Sequence, residues 1–258
     1  TAYILRHTAR HIGKTAVSLV LTIVLTAGVG MFILARLTYQ DAYQEMEVKG
    51  RALDFSSSCI EELASSELME DFYCYSNFSV RPNGMELYTP MIFTNDFDRY
   101  LPKGYKIHFA QGYDLSIFEG TGPVCLLGQA IAKELNIEAG DTITLLSDNL
   151  YSALEQQYQD TADFESKVSA RTMTYTVAGI IISEDMNTST SMFATVNSAS
   201  ESIYGQPYPF GYCEFTLADN EKVDELNTLL EDQKKAGEKY APAASFHIDA
   251  KPLENIKR

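Results

Sequence analysis

Residues 15–35 read TAVSLVLTIVLTAGVGMFILA, 21 consecutive residues without a charge. At about 1.5 Å of rise per residue, a helix of that length covers roughly 30 Å, the hydrocarbon thickness of a bilayer. In lipid every backbone N–H and C=O must be paired within the segment, and a helix does that. Three Thr, one Ser and the pair Gly28 and Gly30 interrupt the apolar surface, and residues of this kind suit close helix–helix contact. A signal-peptide core is shorter, about 7–15 residues, and ends at a small-residue cleavage site. Here Arg36-Leu37-Thr38-Tyr39 follows instead. The stretch is therefore read as a transmembrane helix over residues 15–36.

Charge decides which side is which. Before the span stand Arg6, Arg10, Lys14, His7 and His11, with no acid. Four of the 20 Lys and Arg precede Leu37 while all 35 Asp and Glu follow it, which leaves a net charge of −19 beyond the span. Basic flanks stay in the cytoplasm. The N-terminus is thus expected inside a bacterial cytoplasmic membrane and the residues after about 36 outside it. So acidic a domain is soluble and poorly suited to nucleic acid. Ala2, Leu5, Ala9 and Ile12 recur at spacings of 3, 4 and 3, the apolar stripe of a short amphipathic helix over 1–14 lying on the inner membrane surface. The sequence begins at Thr1 and stops at Lys257-Arg258, and both ends read as cuts in a larger membrane protein.

Residues 37–48 hold no Gly or Pro, so the span is expected to continue as a stalk helix through 49. Ile60, Leu63, Ala64 and Leu68 mark a helix over 56–69. Residues 72–80 alternate as a strand, Arg81-Pro82-Asn83-Gly84 is a hairpin turn signal, and 85–93 returns. A run of strand, helix, tight turn and strand covers 112–146. Residues 149–171 read as a helical insertion, and MTYTVAGIII at 173–182 as a strand with Gly179 at a bulge or close approach. Residues 210–249 form a β-α-β unit. The expected class is α+β. One N-terminal transmembrane helix with a stalk leads to a two-lobed extracytoplasmic domain. Residues 50–84 and 201–258 form a βαβ-based lobe, and 85–200 an inserted, mixed lobe rich in β-strands.

Four stretches carry a family resemblance: LRHTARHIGKTAVSLVLTIVL into the span; GPVCLLGQAIAKELNIEAGDTITL at 122–145; YTVAGII at 175–181; and GYCEFTLADNEKVDEL at 211–226. In order and spacing they resemble the first transmembrane helix and extracytoplasmic domain of the FtsX-like/MacB-like, or type VII, ABC transporter permeases. The hairpin at 72–93 and the insertion at 147–171 have no counterpart in that pattern. The resemblance implies a permease subunit that pairs with a second permease protomer and with a cytoplasmic ABC ATPase. It also implies mechanotransmission, in which ATP-driven motion inside is relayed to the outer domain to export or activate a client. On that reading the chain is not itself an enzyme and holds no cofactor. The competing reading is the extracytoplasmic sensor domain of a receptor such as a histidine kinase, which also sets an α/β domain against membrane spans.

Motifs for other chemistry fail. Gly13-Lys14-Thr15 has the ending of a P-loop, but position 8 is Thr where that motif needs Gly. No H-E-x-x-H, G-x-S-x-G or EF-hand spacing occurs. The four His are scattered, and no catalytic or metal-ligating residue is assigned. Cys59, Cys74, Cys125 and Cys213 all lie beyond the span. An oxidising compartment permits disulfides, and four Cys allow three full pairings. Cys59–Cys74 is the preferred bridge, since a helix followed directly by a strand can bring them together, with Cys125 and Cys213 left free and buried. Tyr204, Tyr208, Phe210 and Tyr212 surround a Pro-rich loop. They are the candidate partner-contact residues, against a competing reading as ordinary loop packing.

Overall fold

One helix, α1 (Ala2–Gln44), carries the apolar stretch and continues past Arg36 without interruption. No proline lies in it, so nothing removes an i→i−4 bond or bends the axis. Thr22, Thr26 and Thr38 return their hydroxyls to the carbonyls of Ser18 (2.9 Å), Thr22 (2.8 Å) and Leu34 (2.9 Å). That internal pairing satisfies the hydroxyls within the helix itself. The Val17–Gln44 segment has a window of mean hydropathy 2.5, none of it buried against the rest of the protein. It is long and apolar enough to cross a membrane. The separate helix expected over 1–14 is instead the first part of α1, because Gly13 alone does not break the backbone ladder. The stalk ends at Gln44, five residues before the expected 49.

The computed structural model describes residues 2–256 except 84, 86–87, 102–103, 159 and 197–206, and within that range the side chains of 2–13, 15–16, 148–150 and 254–256 are not described. After α1 come β1 (Lys49–Ser56), a 3₁₀ turn (Ser57–Cys59), α2 (Ile60–Ala64), β2 (Met69–Pro82), β3 (Thr89–Thr94), α3 (Phe97–Tyr100) and β4 (Lys106–Phe109). A 3₁₀ turn (Leu115–Glu119), β5 (Val124–Gly128), α4 (Gln129–Leu135), β6 (Thr142–Ser147), α5 (Asp148–Tyr158), α6 (Phe164–Ser169), β7 (Met173–Ile182), α7 (Met186–Ser189) and β8 (Met192–Thr195) follow. The chain closes with β9 (Pro209–Leu217), a 3₁₀ turn (Asn220–Lys222), α8 (Val223–Gly237), β10 (Ser245–Ile248) and α9 (Lys251–Ile256).

The strands join in one sheet of order β10-β1-β9-β2-β3-β8-β5-β7-β4, with β6 paired to both β2 and β7. Two architectures follow from that order. At one end β10, β1, β9 and β2 are antiparallel neighbours. The unit β1-α2-β2 therefore straddles β9, and β9-α8-β10 straddles β1. This is the interlocked, ferredoxin-like pair of split βαβ units, here called the base. One face of the base is apolar, with Ala52, Phe55, Cys74, Cys213 and Phe215 packed under Ile60 and Leu63 of α2 and Leu226 and Leu230 of α8. The buried positions Leu226, Leu230, Gln233 and Gly237 recur along one side of α8, and its ends carry charges that suit the helix dipole, Asp224 and Glu225 first and Lys234 and Lys235 last.

At the other end the path β2-β3-β8-β5-β7-β6 returns to β2, so six strands close into a small barrel, which leaves no free edge within the ring. Alternation fills it. Val80, Met91, Phe93, Cys125, Leu127, Ile143, Tyr175, Val177, Met192 and Ala194 join the core that continues from the base. Their neighbours Ile92, Leu126, Ala178 and Phe193 face outward into a second cluster under Phe97, Leu101 and Phe118. Gly179 sits where both sequence expectations meet. The β5–β7 register shifts so that Cys125 opposes Val177 and Leu126 opposes Gly179, leaving Ala178 as a bulge. A Cβ on Gly179 would stand 3.0 Å from the His108 carbonyl of β4.

Two details differ from expectation. The β2–β3 ladder ends at Val80 and Thr89, not at a two-residue Asn-Gly turn. Arg81 and Pro82 go on to pair with Leu146 and Leu145 of β6, because closing the barrel uses those residues. The division drawn between 84 and 85 separates β2 from β3, yet these strands pair from Tyr75 to Val80, so one sheet runs across it.

Candidate functional site

The joint between α1 and the base is held by polar contacts. A helix leaves its last carbonyls without internal partners. Here Asn220, in the turn before α8, supplies them: its Nδ2 donates to the carbonyls of Tyr43 (2.6 Å) and Met46 (2.8 Å). Tyr43 returns the contact, its hydroxyl donating to the Asn220 carbonyl (3.1 Å). Both residues are buried, and the Asn220 Oδ1 is left buried without a partner, the cost of turning both amide protons onto the helix end. One residue along, Gln44 Nε2 donates to Asp219 Oδ1 (3.2 Å), which also accepts from the Glu221 N–H (2.9 Å). The Glu221 amide, the Gln44 amide and the Lys222 charge hold the Asp219 carboxyl below its ordinary value of 3.8. Tyr39 stacks on Tyr43 one turn earlier, centroids 6.1 Å apart.

The chain between α1 and β1 is equally fixed. Val48 is fully buried and its carbonyl accepts from Leu217 N–H (2.8 Å) at the end of β9. On the far side α9 packs against α1, and its Leu253 is buried. Rotation of α1 about its own axis breaks the Tyr43, Gln44 and Asn220 bonds together. Among the described residues no three His, Cys, Asp or Glu side chains gather as a metal site.

The open face of the base carries a second polar node. Arg99 of α3 reaches Asp71 of β2 (3.2 Å) and Glu214 of β9 (2.9 Å) while its guanidinium lies over Tyr73, 4.6 Å from the ring centroid. Asp71 has φ +50° at the β2–β9 bulge between Glu70 and Tyr73, which aims its carboxylate at Arg99. Nearby, burial and the Asp98 carboxylate that accepts its hydroxyl push Tyr105 up to about 12.

At the barrel seam, α5 and α6 roof a cavity of about 370 Å³ lined by Arg81, Pro82, Thr144, Leu146, Tyr151 and Glu165 among others. Arg81 lies between two rings, 3.9 Å from the centroid of Tyr151 and 4.8 Å from that of Tyr88, and donates to the Tyr88 hydroxyl (2.8 Å). This contact fastens the helical insertion to β2.

The residues singled out from sequence are scattered. Tyr204 lies outside the described residues. Tyr208 and Phe210 are buried, with Phe78 edge-on to Tyr208 at 4.9 Å. The strand alternation of β9 turns Phe210 inward, and Ser57 holds the Tyr208 backbone through its N–H (2.8 Å) and hydroxyl (3.2 Å). They are core rather than a contact surface. Tyr212 lies on the open face, donating to Glu214 (2.8 Å). All four cysteines are free and buried. Cys59 donates to the Gln233 carbonyl of α8 (3.4 Å), while Cys74 stands opposite Cys213, so the structure does not bring Cys59 and Cys74 together as a bridge. Asp219 and Asn220 are residue types that cap a helix, and the sequence around them points to nothing more. The bond from Asn220 to Tyr43 spans 177 residues, and no local pattern reports it.

No protein-family model matches the chain, and no curated protein matches it. Among solved structures, the chain is similar to the periplasmic region of MacB from Actinobacillus actinomycetemcomitans, 13% identical over 81% of this chain and 90% of that one, with a TM-score of 0.42. It is also similar to the extracellular domain of the ABC-type transporter YknZ from Gram-positive bacteria, 8% identical over 78% of this chain and 100% of that one, with a TM-score of 0.41.

Proposed function

We propose that this chain is the first transmembrane helix and extracytoplasmic domain of an ABC transporter permease subunit. It acts as a mechanical relay: motion driven by ATP on a cytoplasmic ATPase passes along α1 into the base and moves the barrel, which exports or activates a client. The permease works as a pair of protomers, with the N-terminus inside. The observation that carries this reading is the unbroken helix α1, clamped at Tyr43 to Asn220. A tether that merely held the domain at the membrane would need no such clamp. The four sequence stretches with the permease pattern add to it.

The experiment places the protein in lipid nanodiscs with its candidate ATPase and a fluorophore pair reporting the separation of the two barrels. ATP is expected to change that separation. Ala42→Pro, which breaks the helix just before the clamp, is expected to abolish the change while leaving ATP hydrolysis in place. A separation indifferent to nucleotide overturns the relay and favours a sensor domain.

A further inference from the structure

Cys74 of β2 and Cys213 of β9 are direct partners in the antiparallel ladder. The backbone of Cys74 faces the other way: its N–H donates to Asn95 Oδ1 (2.8 Å) and its carbonyl accepts from the Asn95 N–H (3.4 Å). Neither group is turned to β9, so the two cysteines form a non-hydrogen-bonded pair. Such pairs hold their Cα atoms about 4.5 Å apart, with the side chains close. That lies within the roughly 4.4–6.8 Å that a disulfide spans. Both side chains point to the helix-covered face, each 1% exposed, and the Cys213 thiol donates to the Cys74 sulfur. The other two thiols lie elsewhere. Cys59 is engaged by α8, and Cys125 is inside the barrel opposite Ala194 and Val177.

We propose that Cys74 and Cys213 form a cross-strand disulfide that staples the base at the root of the barrel. A disulfide-bearing oxidant makes it by exchange. One protein thiol gives up its proton and its sulfur attacks the oxidant, forming a mixed disulfide and releasing one thiolate. The second protein sulfur then attacks the first, expelling the other thiolate, and the two protons pass to the released thiolates. The two electrons lost by the protein reduce one S–S bond of the oxidant.

The position gives the bond its meaning. The loop it closes contains residues 75–212, which is the whole barrel with its insertion. β2 is the strand that leaves the base for the barrel, and β9 is the strand that comes back. Joining them prevents the two exits from separating when the base is pushed. The hydrogen bond that the Cys213 thiol makes to Cys74, together with burial, raises the Cys213 thiol well above its ordinary range, so the folded dithiol reacts slowly. Oxidation belongs to folding or to transient opening of the strands. Formation in the cell rests on the extracytoplasmic placement proposed above, while formation in vitro does not.

The test uses the full chain in detergent, unfolded in urea and refolded with oxidised and reduced glutathione, then alkylated, digested without reductant and read by mass spectrometry. The expected product is a joined pair of peptides bearing Cys74 and Cys213, with Cys59 and Cys125 alkylated. Cys74→Ala is expected to leave Cys213 alkylatable, while Cys59→Ala changes nothing. Oxidation is expected to raise the Tm by about 5 °C or more, reversibly with reductant. A Cys59–Cys74 product, or Cys74 and Cys213 both still alkylatable after refolding, overturns the proposal. A bond that forms in vitro but is absent from protein alkylated at cell lysis upholds the pairing and counts against the extracytoplasmic placement.

Discussion

The base and the barrel share β2 and a continuous apolar core, yet they are held by different forces. The barrel is closed by its own strands and filled by alternating side chains such as Phe93, Tyr175 and Met192, all essentially without exposed surface. Its stability is a matter of volume. The base is an open four-stranded array whose decisive contacts with α1 are polar and directional: Tyr43, Asn220, Gln44 and Asp219. Apolar packing tolerates small rotations, whereas hydrogen bonds at 2.6–3.2 Å do not. Rigidity in the barrel serves stability, whereas rigidity at the joint fixes orientation.

Four substitutions or conditions sharpen that contrast. The largest effect is expected in the barrel. Phe93→Ala should cost about 3–5 kcal/mol, as for other buried aromatic truncations, seen as a lower urea midpoint for the full chain in detergent. The joint should respond differently. Asn220→Ala removes the hydrogen bonds to the carbonyls of Tyr43 and Met46 and should cost about 1–3 kcal/mol. Its distinguishing sign is faster amide exchange at 43–48 with the barrel amides unaffected; uniform acceleration across the barrel would erase the contrast. A smaller loss, about 0.5–2 kcal/mol, is expected for Arg81→Ala through the lost cation–π contacts. Limited proteolysis should then cut within α5 or α6 before it cuts the strands.

The smallest effect is a pH dependence. Asp219 has a carboxyl held below its ordinary value of 3.8. A group depressed in the folded state contributes stability that is present above its unfolded value and lost as pH falls through the folded one. Acidification below about 3.8 should therefore loosen the joint first, and Asp219→Asn should remove that component of the acid response. Exchange at 43–48 that ignores both changes would take Asp219 out of the joint.

The legible parts of this fold are those with local causes. Twenty-one uncharged residues announce α1, the β-α-β pattern over 210–249 announces α8, and Gly179 announces a bulge. The α+β class follows from the order of such elements. Barrel closure was not legible, because it depends on Arg81 and Pro82 choosing β6 over a tight turn, a choice made by the whole ring. The Cys74–Cys213 pairing was missed for the same reason, since β9 reaches β2 only through the sheet order. Asn220 had the sequence signature of a helix cap, and only the return of β9 beside α1 gives it a second task.

Hydrogen exchange of the full chain in lipid nanodiscs tests the central claim directly, at the amides between Thr38 and Val48. If α1 and the base are one rigid unit, these amides are protected to the same degree as those of β9, and Asn220→Ala lowers them together. If they exchange as fast as a free linker while β9 stays protected, the helix and the domain move independently and the account of a mechanical relay fails.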